Sequence, residues 1–435
     1  MPPASPAALG ARRAAFRILQ GVRRGQPFDR ARDIGVADVT DERDRRLAHE
    51  LAAGVLRQQA VLDAALAPRI AHGWNTVTPS LQDVLRLGAY QLTQLDRIPV
   101  HAAVDTSVSL AREVAGDRAA GFVNAVLRKI AAAPAAAVPP AETAEALAAA
   151  WSHPEWLVRR WVARFGTAGT IRLLEWNNTR PALVVQPARA EPEELHRRWS
   201  DAGIRVAAAP LGAGLRVDRR PTDLPGFAEG DFVVQDPAHA LVVRFSGITG
   251  GLVYDMCAAP GGKSVALGRA GARVIAGDRN REKVARLADT LHRAGSGREY
   301  PIVADGLRPP LGELDGVLLD APCLGTGTLA RHPDARWRIT PESLDSLVDL
   351  QARLLESAAR LVRPGGALVF ATCSLEPEEN ECQVESFLNA HPEFRREPAA
   401  SLPQELLTPA GDLLILPQRA EMDGAYAARL RRSAP

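Results

Sequence analysis

Leu252-Val253-Tyr254-Asp255-Met256-Cys257-Ala258-Ala259-Pro260-Gly261-Gly262-Lys263-Ser264 decides the fold of the C-terminal half. A short, largely apolar run, Leu252 to Met256, stops at a Pro-Gly-Gly turn, and a helical pattern follows. The unit repeats downstream. Arg273 to Gly277 reads as a second strand ending at Asp278, and Pro301 to Ala304, Gly316 to Leu319 and Ala367 to Ala371 read as three more. Between the last two, Thr340 is placed to cap a helix and Pro341 to sit in its first turn. Leu344, Leu347, Val348, Leu354, Leu355, Ala358 and Leu361 form its apolar face, and Pro364-Gly365-Gly366 is expected to stop it. Five strands alternating with helices predict a doubly wound parallel sheet, which takes ligands at the carboxyl ends of its strands.

Upstream the period changes. From Ala8 to about Ala132 apolar residues recur at helical steps, as in Phe16, Leu19 and Val22, then Leu47, Leu51, Val55, Leu56 and Leu62. Residues 1–135 therefore read as an all-α bundle, with Gly116-Asp117 marking a turn. Residues 136–150 are rich in Ala and Pro and suit a linker. Residues 151–240 mix a helix carrying Trp156, Leu157, Trp161, Val162 and Phe165 with short strands at Leu183-Val184-Val185 and Phe232-Val233-Val234, a small α+β domain. Residues 241–435 hold the parallel sheet.

Composition narrows the class without naming it. With 46% hydrophobic and 24% charged residues the 435-residue chain can bury two or three cores. The net charge of +2 does not decide for or against nucleic acid. The first residues lack the apolar core of a signal peptide, and no stretch reaches the roughly 20 apolar residues of a membrane span, so a cytoplasmic protein without membrane attachment is expected. The four cysteines, Cys257, Cys323, Cys373 and Cys382, show no C-x-x-C spacing. They are expected to be reduced thiols, with no metal site implied.

The chemistry is expected along one sheet edge. Gly261 and Gly262 let the backbone approach a ligand, and the helix after them offers free N–H groups. Asp278, 23 positions beyond Asp255, ends the second strand, where an acid can hold two ribose hydroxyls. The loop is not G-x-G-x-x-G, which argues against a nicotinamide dinucleotide. Asp305 and Asp320 follow the third and fourth strands. The fourth strand runs into Pro322-Cys323 and the fifth into Thr372-Cys373-Ser374, so two thiols are predicted to face one crevice. Cys257 and Cys382 read as ordinary small apolar residues. A thiolate that adds to C6 of cytosine would make C5 nucleophilic enough to accept a methyl group. At an ordinary pKa only about 5–10% of a thiol is ionised at neutral pH, so such a site must favour the anion, and Lys263 is a candidate cation for that. Hydrogen bonding at N3 by a carboxyl group such as Asp320 would help the addition.

DMCAAPGGKS (255–264), DAPCLGTGTLARHPDARW (320–337) and ATCSLEPEENE (371–381) closely resemble the RNA cytosine-5 methyltransferases of the NOL1/NOP2/Sun family. The resemblance implies a Rossmann-like methyltransferase domain that uses S-adenosylmethionine. It implies Cys373 as nucleophile, Cys323 as the thiol assisting release, and Asp320 beside both base and cofactor. The implied cofactor residues are Cys257, Ala258, Ala259, Pro260, Gly261, Gly262, Lys263, Asp278, Asp305 and Asp320. RIPVHAAVD (97–105) and FVNAVLRK (122–129) are similar to the NusB-type RNA-binding helical fold, a fusion typical of the bacterial subfamily whose target is cytosine 967 of 16S rRNA. The implied partner is 16S rRNA, with Arg12, Arg13, Arg17, Arg23, Arg24, Arg128 and Lys129 as candidate phosphate contacts. No obligate protein partner is implied, and a monomer is expected. The same chemistry on tRNA, or a catalytically idle RNA-binding factor, are the alternatives; the intact thiols and loop speak against the second. One departure is Asp423-Gly424-Ala425-Tyr426, where the family often has Asp-Gly-Phe-Phe.

Overall fold

The computed structural model describes residues 6–132, 143–398 and 402–434. It separates into two compact units, one of residues 1–179 with 331–338 and one of residues 180–330 with 339–435. The expected linker at 136–150 lies, as far as residue 142, outside the described residues, and its last part is helical.

The first unit is all helical. Its helices are α1 (Pro6–Arg23), α2 (Phe28–Gly35), α3 (Glu42–Arg57), α4 (Gln59–Leu66), α5 (Pro79–Gln94), α6 (Val100–Ala131), α7 (Ala144–Trp151) and α8 (Glu155–Asn178). Asp41 caps α3 by accepting from the Arg43 and Asp44 amides. Leu51, Val55 and Leu56 meet Val84, Leu85, Leu87, Val123 and Leu127 in one core. Gly54 lets α3 approach α5 closely, since a Cβ there would fall 2.0 Å from the Tyr90 ring. The turn signal at Gly116 is a break within α6, where this residue takes a left-handed φ of 82°. The boundary expected at 151 does not coincide with the division into units: α8 packs on α7 in the helical unit.

The second unit carries two sheets. The smaller is antiparallel, in the order β2 (Val206–Ala208), β3 (Leu215–Val217), β1 (Leu183–Pro187), β4 (Phe232–Val234). Helix α9 (Pro192–Asp201) covers it with Leu195 and Trp199, and the Trp199 ring meets Phe232 edge-on at 5.2 Å. Helix α10 (Pro237–Ser246), capped by the Asp236 side chain, leads into the larger sheet.

The five strands expected there all form: β5 (Leu252–Met256), β6 (Arg273–Asp278), β7 (Glu299–Val303), β8 (Leu314–Asp320) and β9 (Val362–Thr372), parallel in the order β9-β8-β5-β6-β7. Helices α11 (Gly262–Arg269), α12 (Arg281–Ala294) and α13 (Pro341–Leu361) connect them, and Thr340 caps α13 as predicted. Helix α13 ends at Leu361 before the Pro-Gly-Gly stretch, which lies inside β9. The sheet then changes direction. After α14 (Glu381–Ala390) come β10 (Phe394–Arg396), β11 (Leu413–Ile415), the short α15 (Pro417–Ala420) and β12 (Ala425–Arg432); β12 lies antiparallel between β9 and β10 and also pairs with β11. At the family departure, Ala425 and Tyr426 are both buried, and the Tyr426 hydroxyl donates to Asp412 Oδ2 at 2.7 Å. No helix among the described residues is long and apolar enough to cross a membrane.

Asp255 ties β5 to the helix after the glycine turn. It is fully buried and accepts from Ser264 Oγ of α11 at 2.5 Å. Burial pushes its carboxyl up to about 7, against the pull of Ser264. A carboxyl raised in the folded state stabilises when protonated, so its contribution is complete below the unfolded value of 3.8 and is lost as pH rises through about 7. We expect Asp255→Asn to remove this loss, at about 1.4 kcal/mol per pH unit, so that urea unfolding of variant and parent diverges in the variant's favour between pH 5 and pH 8. A constant difference across that range would refute the assignment.

Candidate active site

Each expected site residue lies at a strand end of the larger sheet, in the loop after one, or in the first turn of α11. Gly261 turns the chain with a left-handed φ of 110° at the mouth of α11, and a Cβ there would fall 2.8 Å from Leu287. A Cβ on Gly262 would fall 2.8 Å from Gln235 Nε2. Side chains of Leu287 and Gln235 thus pack directly on the two glycines at the start of α11, whose first amides have no partner within the helix. Cys257 precedes this turn with φ of 65°. Burial, then the carboxylates of Asp320, Asp278 and Asp255, push its thiol up to about 12, so it stays protonated and unreactive.

Asp278 closes β6, largely buried, with Oδ1 accepting from the Asn280 amide at 2.9 Å and Lys283 Nζ 4.0 Å from Oδ2. Asp305, in the exposed turn after β7, accepts from the Leu307 amide at 3.0 Å. Asp320 ends β8 and accepts from Lys263 Nζ at 2.7 Å. Lys263 is 7% exposed. Burial alone would lower its pKa, but Asp320 outweighs that, with smaller help from Asp255 and Cys373, and the ammonium is favoured.

The parallel register of β8 on β9 sets Leu319 opposite Phe370 and Asp320 opposite Ala371. The loops beyond the two strand ends therefore start side by side, and Cys323 Sγ lies 3.4 Å from Cys373 Sγ. The hydrogen bond to Cys373, followed by burial, raises the Cys323 thiol well above its ordinary value, so Cys323 holds its proton next to the Cys373 sulfur.

Backbone bonds lock the two loops together. The Gly327 amide donates to the Cys373 carbonyl at 2.9 Å, and the Leu375 amide donates to Thr326 Oγ1 at 2.8 Å. A Cβ on Gly327 would fall 2.7 Å from Gly424 Cα and 2.8 Å from the Cys373 carbonyl, so the contact requires glycine. Glu379, buried, accepts from the Leu324 amide at 3.0 Å and from Gln351 Nε2 at 2.9 Å; Gln351 also donates to the Pro322 carbonyl at 2.9 Å. Asn380 accepts from the Thr372 hydroxyl and donates to the Ser374 carbonyl at 2.9 Å.

Sequence reading assigned no role to Glu379, Gln351, Asn380 or His239. Glu379 and Asn380 stand in the quoted stretch 371–381, where their acid and amide types were the available signal. Gln351 is the one polar residue facing inward on α13 between Val348 and Leu354 that a helical projection would have flagged. His239, whose Nδ1 lies 2.8 Å from Lys263 Nζ, comes from α10, 24 residues earlier, and had no local signal.

In the helical unit, most of the candidate phosphate contacts are engaged. Arg12 is buried and donates to Gln91, while Arg13, Arg17 and Arg23 pair with Glu113, Asp38 and Asp83. Arg24, Arg128 and Lys129 are exposed, with Arg128 donating to Asn124 Oδ1 at 3.1 Å. A cleft of about 790 Å³, lined in part by Leu211, Glu385, Arg396, Thr408 and Arg419, contains none of the expected site residues.

Comparison with known proteins agrees with this order of parts. Residues 248–431 match the family model described as 16S rRNA methyltransferase RsmB/F, residues 9–132 match the NusB family, and residues 153–223 match the ferredoxin-like domain of RsmF/B-like methyltransferases. A Synechocystis protein named probable ribosomal RNA small subunit methyltransferase B is 34% identical over 98% of this chain and 100% of its own length. A Xanthomonas campestris protein named ribosomal RNA small subunit methyltransferase B is 34% identical over 90% of each chain. Among solved structures, that of PH0851 superposes with a TM-score of 0.83 at 26% identity over 99% of this chain and all of its own, and NSun6 from Pyrococcus horikoshii shares the fold over 65% of this chain and 99% of its own, with a TM-score of 0.56 at 18% identity. By this likeness along nearly its whole length, the chain belongs to the family of ribosomal RNA small subunit methyltransferase B.

Proposed function

We propose that this rRNA methyltransferase transfers a methyl group to C5 of a cytosine in 16S rRNA, at position 967, with Cys373 as nucleophile. The observation that carries this reading is geometric: the thiols of Cys323 and Cys373 lie 3.4 Å apart in the loops that follow two neighbouring parallel strands. A thiol attacks as its anion, and a second thiol within hydrogen-bonding reach gives the proton somewhere to go.

The reading assigns each residue a task. The Cys373 thiolate adds to C6 of the base, and electron density moves from the C5–C6 double bond to C5. Asp320, which lies against the Lys263 ammonium, is assigned to carry a proton to N3 of the ring, and that proton stabilises the electrons drawn there. After C5 is methylated its proton passes to a solvent water, the C–H electron pair re-forms the C5–C6 double bond, and the C6–S bond breaks to return Cys373 as its thiolate. Cys323 assists that release by donating its S–H to the departing sulfur. Because A-form RNA hides its major groove, the cytosine must leave its stack to reach the thiols. The helical unit is assigned to grip the rRNA, with Arg24, Arg128 and Lys129 as candidate contacts.

The methyl donor assigned to the site is S-adenosylmethionine, which supplies an electrophilic sulfonium methyl group when bound. The residues fit it: Cys257 to Lys263 would border it with backbone, Asp278 would hold its ribose hydroxyls, and Asp305 and Asp320 would flank it. The support for this is the glycine turn that follows β5 and the buried carboxylate of Asp278 at the end of the neighbouring parallel strand β6. The Pyrococcus horikoshii NSun6 structure is of that protein with SFG.

Bisulfite sequencing of 16S rRNA from cells with and without the gene tests the reading. One protected cytosine near position 967 should vanish in the knockout and stay absent when Cys373→Ala is supplied instead; unchanged 16S cytosines would sink the substrate assignment and turn attention to tRNA. In vitro, Cys373→Ala should abolish methyl transfer while calorimetry gives S-adenosylmethionine affinity near that of the parent, and turnover by this variant would remove the nucleophile. Cys323→Ala should accumulate a protein–RNA adduct stable on denaturing gels, and no adduct means a different release step. Asp278→Ala should weaken cofactor binding by about 1–3 kcal/mol; an unchanged dissociation constant would exclude Asp278 from the ribose site.

A further inference from the structure

One partner of the site comes from outside the strand ends and the loops after them. His239 stands in the first turn of α10, whose start is held twice by Asp236: Oδ1 accepts from the Ala238 amide at 2.9 Å and from the Asp423 amide, just before β12, at 3.2 Å. Ala238, Leu241, Val242 and Phe245 of this helix are buried, and the helix packs on α11 and β12. His239 itself is only half-buried, so core packing does not account for it. Its Nδ1 lies 2.8 Å from Lys263 Nζ, and the same Nζ lies 2.7 Å from Asp320 Oδ2. Lys263, the second residue of α11, thus joins the helix that precedes the sheet to the end of β8.

The chemistry of the two groups decides which one donates. An ammonium carries three N–H donors and no acceptor, and the ammonium is the favoured form of Lys263. Nδ1 must therefore accept, which makes the imidazole neutral with its proton on Nε2. Lysine is a point charge on a flexible four-carbon stem, so a single ion pair leaves it several ways to point. A second acceptor on another element removes that freedom. A carboxylate could accept as well, but it would set a second negative charge beside Asp320; a neutral imidazole accepts the bond without one. The ammonium engages Oδ2 of Asp320, a side chain 29% exposed, and so leaves Oδ1 for the ring of the base.

We propose that His239 is a positioning residue for the Lys263–Asp320 pair: its neutral imidazole, accepting at Nδ1, holds the ammonium in the orientation that presents the Asp320 carboxyl to N3 of the cytosine. The inference rests on the role given to Asp320 above. It deepens that role, since the addition of Cys373 to C6 then depends on a side chain that acts on the base only through Lys263 and Asp320.

The test isolates the addition step. A 16S rRNA fragment with 5-fluorocytidine in place of cytidine can be attacked and methylated, but fluorine at C5 leaves no proton to remove, so the adduct with Cys373 persists on a denaturing gel. Full-length parent, His239→Leu, His239→Asn and Asp320→Asn are compared at saturating S-adenosylmethionine and RNA. Leucine keeps bulk and removes the acceptor, whereas asparagine returns an acceptor oxygen near the place of Nδ1. His239→Leu should unfold cooperatively, bind cofactor and RNA within about twofold of the parent and form adduct about 10- to 100-fold more slowly, the effect of a small misplacement. His239→Asn should recover most of that rate. Parental adduct formation by His239→Leu, a loss confined to cofactor or RNA affinity, or an asparagine variant as slow as the leucine one overturns the inference. If His239→Leu fails to fold, His239→Ala is judged by the same criteria. A parental rate in Asp320→Asn removes the role of Asp320 and this inference with it, whereas a slow Asp320→Asn beside a parental His239→Leu removes this inference alone.

Discussion

Parallel pairing of β8 with β9 is the constraint on which the site depends. Side chains alternate along a strand, and a slip of one residue would exchange the faces of every side chain that follows. With Asp320 opposite Ala371, the next residues of both strands leave the sheet at the same level, and Cys323 and Cys373 arrive at hydrogen-bonding distance. The neighbouring pairing of β5 with β6 and with β8 carries Lys263 and Asp278 to the same edge. The apolar interior of these strands, Val253, Tyr254, Val317, Leu318, Leu319, Leu368, Val369 and Phe370, holds that register because any other would expose part of it.

Much of this was legible in the sequence, for reasons tied to particular residues. The strands β5, β6 and β8 are short apolar runs that end in a turn residue or an acid, and buried parallel strands are recognisable in that form. The cap at Thr340 and the proline after it fixed the start of α13, because capping chemistry is local. The thiol pair was accessible once strand order was inferred from the alternation of strands and helices. The direction of β12 was not, since an antiparallel insertion between β9 and β10 depends on partners separated by tens of residues. Glu379, Gln351, Asn380 and His239 escaped for the same reason: each gains its role only from a partner brought by the tertiary fold. The N-terminal arginines show what helical spacing leaves out: carboxylates elsewhere in the helical unit, Glu113, Asp38 and Asp83, meet three of the five positive residues near the start of the chain.

Electrostatics in the site are set by burial more than by ion pairing. Asp255, Cys257 and Cys323 are all pushed toward their protonated forms, and Lys263 remains charged because Asp320 lies against it. Desolvation quiets Asp255 and Cys257, while for Cys323 the hydrogen bond with Cys373 comes first and burial second. The dense backbone bonding around Gly327 and Glu379 serves the same selectivity by geometry, since it leaves the two sulfurs little freedom to separate.

The octapeptide 331–338, part of the helical unit, governs the order in which the protein can be completed during synthesis. Helices α1 to α8 leave the ribosome first, yet the groups that satisfy the ends of α2, α3, α7 and α8 are encoded beyond β8. The N-terminal unit therefore waits, with several helix ends hydrated, until more than half of the other unit has been translated. A gene cut between the two halves of the chain would yield a helical fragment lacking its own last piece, so the order of domains along the gene is not the order in which they mature.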